Sequence, residues 1–168
     1  NPVAAPNPPP SKETFIQTAS LNNPKSVIIF KDKVLEKVIQ QTLSTLNPSV
    51  MTKLGEMTVE QCSKLHSLKI VNDKMKNSLP PQLFYDDITS LEGIQYCANL
   101  VEFNYYAHKK VFPDLSPLCD LPNLKILDLS LHKDVEDLSV LDKCNSLEHL
   151  SLYEVYNSEN KIPQNLAM

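Results

Sequence analysis

Leu115–Leu129 reads LSPLCDLPNLKILDL, and the same frame returns upstream in Leu91–Tyr105 (LEGIQYCANLVEFNY) and downstream in Leu138–Leu152 (LSVLDKCNSLEHLSL). The three stretches superimpose without a gap, at intervals of 24 and 23 residues. Self-similarity at such a period marks an array of small units, none of which can bury its apolar side alone. Stacked neighbours bury it instead, so the recurrence decides the architecture.

The period and the leucine spacing are those of leucine-rich repeats, where each coil supplies one short strand and one return segment. A fourth copy of the strand lies further upstream. Leu65-x-x-Leu68-x-Ile70 aligns with Leu100-x-x-Phe103-x-Tyr105, Leu124-x-x-Leu127-x-Leu129 and Leu147-x-x-Leu150-x-Leu152, which predicts four parallel strands. The first repeat differs, because Val71–Asp87 inserts a longer loop before Ile88. Side chains alternate along a strand. Leu127 and Leu129 therefore point into the core, and Ile126, Asp128 and Ser130 point the other way. The equivalent outward sets are Ser67, Lys69, Val71; Glu102, Asn104, Tyr106; and His149, Ser151, Tyr153. Together they make one sheet face, the concave one in this architecture.

Composition narrows the function classes. The 168 residues suffice for one core or a short array, and 42% apolar with 21% charged residues is ordinary for a globular chain. Net charge is −4 with no Lys/Arg cluster, which argues against a nucleic-acid partner. Only two glycines occur, Gly55 and Gly93, so Gly-rich phosphate loops are excluded. No apolar run approaches the length of a membrane span. The sequence starts at Asn1 without a visible signal peptide, and we expect upstream residues to have been removed by processing or truncation. Asn1–Pro10 (NPVAAPNPPP) is Pro-rich and expected to be extended, and residues 1–24 read as a linker.

Helical signals follow. Asp32 suits an N-cap, and Val34, Leu35, Val38, Ile39 and Leu43 recur at helical spacing, with Glu36 favouring the helix start electrostatically. Asn47-Pro48 closes the helix, since the residue before proline is pushed out of the α region. Asp32–Leu46 thus reads as one amphipathic helix. Thr58–Gln61 (TVEQ) is a capping-box pattern ahead of a further short turn.

These residues resemble internalin-type leucine-rich repeats. The resemblance is carried by Ile88–Ile94 (ITSLEGI) with Cys97-Ala-Asn-Leu100, and by Asp114–Leu118 (DLSPL) with Leu121-Pro-Asn-Leu124-Lys-Ile-Leu127-Asp-Leu129-Ser130. Ile29–Ile70 is similar to that family's helical cap, running from Phe30-Lys-Asp through the Val34–Leu43 helix to Met57-Thr-Val-Glu-Gln-Cys62. The resemblance spans Lys25 to Tyr156. It implies a bacterial cell-surface or secreted protein that engages another protein or a glycan with its concave face. Two departures mark a divergent member. One is the long first loop, Lys74–Asp87. The other lies five positions beyond Leu68, Phe103, Leu127 and Leu150, where Asp73, His108, His132 and Val155 replace the asparagine often found at the turn out of the sheet.

The expected fold is an α/β solenoid: a short right-handed leucine-rich repeat array with a parallel concave sheet and an N-terminal helical cap. Residues 25–56 form the cap and 57–168 about four coils. Gln164–Met168 offers no polar C-terminal cap, so the strand at Leu147–Leu152 is expected to expose an edge and a slab of core, inviting self-association there or further chain.

Candidate chemistry is sparse. Cys62, Cys97 and Cys144 each fall three residues before a first strand leucine, where the next coil has Leu121, so buried free thiols are the default reading. Cys62 and Cys97 lie in adjacent coils and could approach, Cys97 and Cys144 lie two coils apart and cannot bridge, and Cys119 is expected at the surface. Unpaired cysteines fit poorly with an oxidising compartment. His108 and His132 occupy equivalent positions and could stack at the rim; without a third ligand they make a poor metal site. His66 and His149 have no visible orienting partner. Ser130, His132 and Asp134 spread around a turn without an elbow or oxyanion device, which gives no basis for nucleophilic catalysis.

The sheet face is the candidate site. Lys69, Glu102, Asn104, Tyr106, Ile126, Asp128, His149, Ser151 and Tyr153 form a mixed aromatic–polar surface of the kind interfaces use. The bland alternative is a merely solvated face. A second candidate is Leu79-Pro-Pro-Gln-Leu83-Phe84-Tyr85, whose Leu83, Phe84 and Tyr85 either fold back over the first coil or contact a partner. The function expected is therefore non-catalytic recognition of a protein or glycan, without cofactor, at an extracellular or bacterial surface. The alternative is an intracellular leucine-rich adaptor or regulatory subunit, suggested by the unpaired cysteines.

Overall fold

The computed structural model describes residues 23–48, 53–72, 84–85, 88–106, 113–130 and 138–155. The first helix among the described residues is α1 (Lys33–Leu46), preceded by the N-cap Asp32 and closed at Asn47, as the sequence pattern predicts. Leu35, Val38, Ile39 and Leu43 form its buried stripe. Asp32 does more than cap. Its Oδ1 accepts from the Val34 and Leu35 amides at 2.7 and 3.3 Å, and its Oδ2 accepts from the Thr89 amide and hydroxyl at 2.7 and 2.9 Å. One carboxylate thus joins α1 to the second repeat.

Glu36 stands in the first turn of α1, as the sequence pattern suggests, and is fully buried there, accepting from the Lys33 ammonium at 2.7 Å and from the Gly55 amide. A buried carboxylate must be paired and hydrogen-bonded. These two donors supply that pairing.

Helix α2 (Val59–Cys62) starts at the capping box, with Thr58 and Gln61 bonding reciprocally. The strands follow: β1 (Ser67–Asn72), β2 (Phe84–Tyr85), β3 (Glu102–Tyr106), β4 (Ile126–Asp128) and β5 (His149–Ser151). They form one parallel sheet in the order β2-β1-β3-β4-β5. Each step aligns as the repeat predicts: Leu68 opposes Phe103, Phe103 opposes Leu127, and Leu127 opposes Leu150. Among the described residues the sheet has five strands, not four. Phe84 and Tyr85, read as part of a loop, pair with Val71 and Asn72 on the far edge of β1. Two residues without alternation carry no strand signal of their own; the edge of β1 creates the strand. Leu83 lies outside the described residues.

Return segments contain a 3₁₀ turn (Ile94–Tyr96), helix α3 (Ser116–Cys119) and a second 3₁₀ turn (Ser139–Lys143). Between them and the sheet runs one continuous core, from Ile28 and Phe30 through α1 to Leu127, Leu129 and Leu138. It thins at the last coil. Leu150 points inward yet is 39% exposed, and Leu147 and Leu152 are only partly buried.

The cysteine expectation is overturned. Cys62 is bonded to Cys97 and Cys119 to Cys144, and no free cysteine remains. Matching positions in adjacent parallel coils are about 5 Å apart, within reach of a disulfide. The sequence period therefore holds the geometry for Cys62–Cys97. Cys119 had been expected at the surface; it ends α3 and reaches the next coil from there.

Among the described residues a polar ladder lies at the entrance to the strands. Asn99 donates to the Ser63 carbonyl at 2.8 Å, Asn123 to the Ala98 carbonyl at 2.9 Å, and Ser146 to the Leu121 carbonyl at 3.0 Å. Each precedes a first strand leucine, and each ties its coil to the one before. Of the exit positions, Val155 is buried, whereas Asp73, His108 and His132 lie outside the described residues.

Candidate functional site on the outward sheet face

The sheet register sorts the outward side chains into rows. Ser67, Glu102, Ile126 and His149 form the first; Lys69, Asn104, Asp128 and Ser151 form the second. Val71 and Tyr106 oppose each other in the third, with Ser130 and Tyr153 just beyond β4 and β5. All nine candidate residues on this face thus lie together. Two outward positions are nevertheless buried: Val71 beside the added strand β2, and Ser130 inside a hydrogen-bond network.

Cross-strand bonds fix the polar part. The Glu102 carboxylate accepts from the Ser67 hydroxyl at 3.1 Å and from the Asn104 amide at 2.7 Å. The Tyr106 hydroxyl donates to Asp128 Oδ2 at 2.8 Å, and the Lys69 ammonium stands 5.3 Å from the centroid of the same ring. Asp128 Oδ1 accepts from the Ser130 amide at 2.9 Å. Ser130 continues the chain to Ser151, 3.0 Å between hydroxyls, and accepts from the Tyr153 amide at 3.1 Å. A cation–ring–carboxylate series therefore crosses β1, β3 and β4 and reaches β5 through two serines.

The network sets the ionisation of its members. Burial pushes the Tyr106 hydroxyl up, its hydrogen bond to Asp128 and the charges of Asp128 and Glu102 push it further, and it reaches about 12. For Asp128 burial acts upwards, but the bonds from Ser130, Tyr106 and Ser151 outweigh it and hold the carboxyl below the usual range. At neutral pH Tyr106 is a donor and Asp128 an anion.

The apolar part is more open. Tyr153, just beyond β5, is 68% exposed and Ile126 in β4 is 37% exposed, with Asp128 and Ser151 between them. His149 is exposed beside Ile126. Beside the first row, Lys125 and Glu148 form an exposed ion pair at 2.7 Å. What the sequence could not show is that Tyr106 and Asp128 are locked together. Positions 22 apart reveal a contact only once register is known.

Among the described residues, no group of three or more His, Cys, Asp or Glu side chains is placed to hold a metal ion. His132 and Asp134 lie outside the described residues, so the Ser130–His132–Asp134 arrangement has no geometry to report. No described helix is long and apolar enough to cross a membrane.

Comparison with known proteins agrees with the fold. No family model matches the chain. Mouse (Mus musculus) leucine-rich repeat-containing protein 36 is 32% identical over 135 residues, covering 69% of this chain and 18% of the relative. The human (Homo sapiens) protein of that name is 34% identical over 101 residues, covering 52% and 13%. The chain thus spans under a fifth of the length of these curated relatives. Among solved structures, internalin C2 from Listeria monocytogenes superimposes with a TM-score of 0.53 at 20% identity, over 76% of this chain and 48% of that one. An internalin, inlF, of the same organism gives 0.52 at 23% identity, over 79% and 33%. Sequence and fold together support a leucine-rich repeat protein.

Proposed function

We propose that the chain is a non-catalytic recognition module that binds another protein through the concave face of a short right-handed solenoid closed at one end by α1. The supporting observation is the combination on one face of two exposed apolar side chains, Ile126 and Tyr153, with polar groups already held by cross-strand hydrogen bonds. Binding to such a surface forgoes little side-chain entropy. Exposed apolar anchors within a fixed polar surround are what binding interfaces require.

The compartment we infer is extracellular or cell-surface, and the function adhesion or recognition there. Two disulfides support this, because such bonds persist in oxidising surroundings. The alternative is an intracellular leucine-rich adaptor or regulatory subunit, a reading that drew on unpaired cysteines and that the two disulfides do not favour. The insertion is a lesser contact candidate, since the backbone of Phe84–Tyr85 is committed to β1.

The test uses side chains that carry little of the fold. Immobilised wild-type chain and an Ile126→Asp/Tyr153→Ala variant of matched melting temperature are exposed to the same extract of surface proteins. A protein retained by the first and released by the second supports the reading. Equal retention by both removes binding from this face.

A further inference from the structure

The two disulfides differ in what surrounds them. Cys62 and Cys97 are both completely buried beneath the first and second repeats. Cys144 retains 7% exposure, and Cys119 is only half-buried at the end of the single-turn helix α3. They also brace unequal parts of the array. The inner bond joins coils that share β1 and β3, which pair over five residues and are flanked by strands on both sides. The outer bond joins α3 to the segment that leads into β5, and β5 pairs with β4 over three residues only. The last coil has the thinnest core, with Leu150 39% exposed.

We infer that Cys119–Cys144 is a reducible site open to small thiols, and that its reduction loosens the last coil while the rest of the sheet stays folded. Exchange needs a thiolate to reach a disulfide sulfur, so access ranks the two bonds. A dithiol reductant attacks Sγ of Cys119, the Sγ–Sγ bond breaks, and Cys144 leaves as a thiolate that takes a proton from water. The second thiol of the reductant then displaces Cys119 and closes a cyclic disulfide. Two electrons pass from reductant to protein. Freed from α3, the Ser139–Lys143 turn loses its covalent tie to the preceding coil, and the segment stays attached through the β4–β5 pairing, the Ser146 bond to Leu121 and the Ser130–Ser151 contact. His149, Ser151 and Tyr153 ride on that segment. A loss of binding on reduction rests on the proposed concave site, whereas the order of reduction does not.

The experiment treats the intact oxidised chain with graded dithiothreitol, quenches with N-ethylmaleimide and maps the alkylated cysteines by mass spectrometry, with hydrogen exchange run in parallel. Cys119 and Cys144 are expected to be trapped about tenfold faster than Cys62 and Cys97. Exchange is expected to rise over residues 138–155 and to stay unchanged in β1 and β3. A Cys119→Ser/Cys144→Ser chain is expected to show the raised exchange without reductant. Reduction of Cys62–Cys97 first, reduction of both bonds at one rate, or selective reduction without raised exchange in β5 each overturns the inference.

Discussion

The Tyr106 hydroxyl lies 2.8 Å from Asp128 Oδ2 and donates to it across the junction of β3 and β4. Tyr106 therefore belongs partly to the fold. Its hydroxyl ionises only near pH 12, so it stabilises the native state fully below its ordinary value near 10 and loses that contribution as the pH rises through the folded value. Asp128 behaves inversely: its contribution is present above its ordinary value of 3.8 and is lost as the pH falls through its depressed native value. Burial and the Glu92 charge also push Tyr96 up, so we predict that absorbance titration at high pH shows late tyrosines and that Tyr106→Phe removes the step near pH 12 while leaving that of Tyr96. The same variant should lower stability by about 1 kcal/mol and raise the pKa of Asp128. A tyrosine titration without a step near pH 12, identical in the variant, would sink the assignment.

Asp32 is the second point of leverage. Removing it strips two amides of α1 and the backbone and side chain of Thr89 of their acceptor. Loss of a helix cap costs about 1 kcal/mol and further unmet donors about 1–2 kcal/mol, so Asp32→Ala should lose about 2–3 kcal/mol in urea unfolding. Burial acts upwards on the carboxyl, but the bonds from Thr89, Val34 and Leu35 prevail and lower it. Its stabilising effect is therefore present above pH 3.8 and fades as acid protonates the folded form. Asp32→Asn should flatten that acid limb, and an unchanged limb would contradict the account.

How much of this was legible beforehand follows from the range of each interaction. Leu68, Phe103, Leu127 and Leu150 announce their alignment because period fixes register, and the outward rows follow from strand alternation. The Asp32 cap was readable because its signal is local. Its second role was hidden, since Thr89 is 57 residues away. The burial of Glu36 was hidden for a related reason: it depends on where the loop at Gly55 returns, 19 residues on. The cysteines failed differently. Their spacing allowed Cys62–Cys97, but an apolar slot accommodates a thiol as readily as half a disulfide. Asn99 and Asn123 each stand one residue before a first strand leucine, but their carbonyl partners in the preceding coil follow only from the register.

The two glycines permit a controlled comparison. Both have positive φ, +85° at Gly55 and +110° at Gly93. A Cβ at Gly55 meets nothing within 4 Å, whereas one at Gly93 falls 2.6 Å from Phe30 Cδ1 and 3.1 Å from Phe30 Cα. Gly55→Ala should cost about 1 kcal/mol, the conformational penalty alone. Gly93→Ala adds a clash with a buried ring and with backbone, and should cost about 3 kcal/mol or more. Equal melting temperatures for the two variants would mean that Phe30 does not pack where described.

The inner disulfide gives the last prediction. Cys62–Cys97 closes a segment spanning 35 positions, and a link of that length restricts the unfolded chain by about 2–4 kcal/mol. Both residues are fully buried among apolar neighbours, so Cys62→Ala/Cys97→Ala leaves no polar group stranded. The variant should still fold, because Leu65, Leu100 and the Asn99 bond to Ser63 keep the two coils in register. It should unfold at lower denaturant with a larger dependence on denaturant concentration, since its unlinked unfolded chain exposes more surface. Complete reduction should shift the wild-type midpoint down to that of the oxidised variant or below it, because it opens Cys119–Cys144 as well. A wild-type midpoint unmoved by complete reduction would show that the bond contributes nothing to holding the first two coils together.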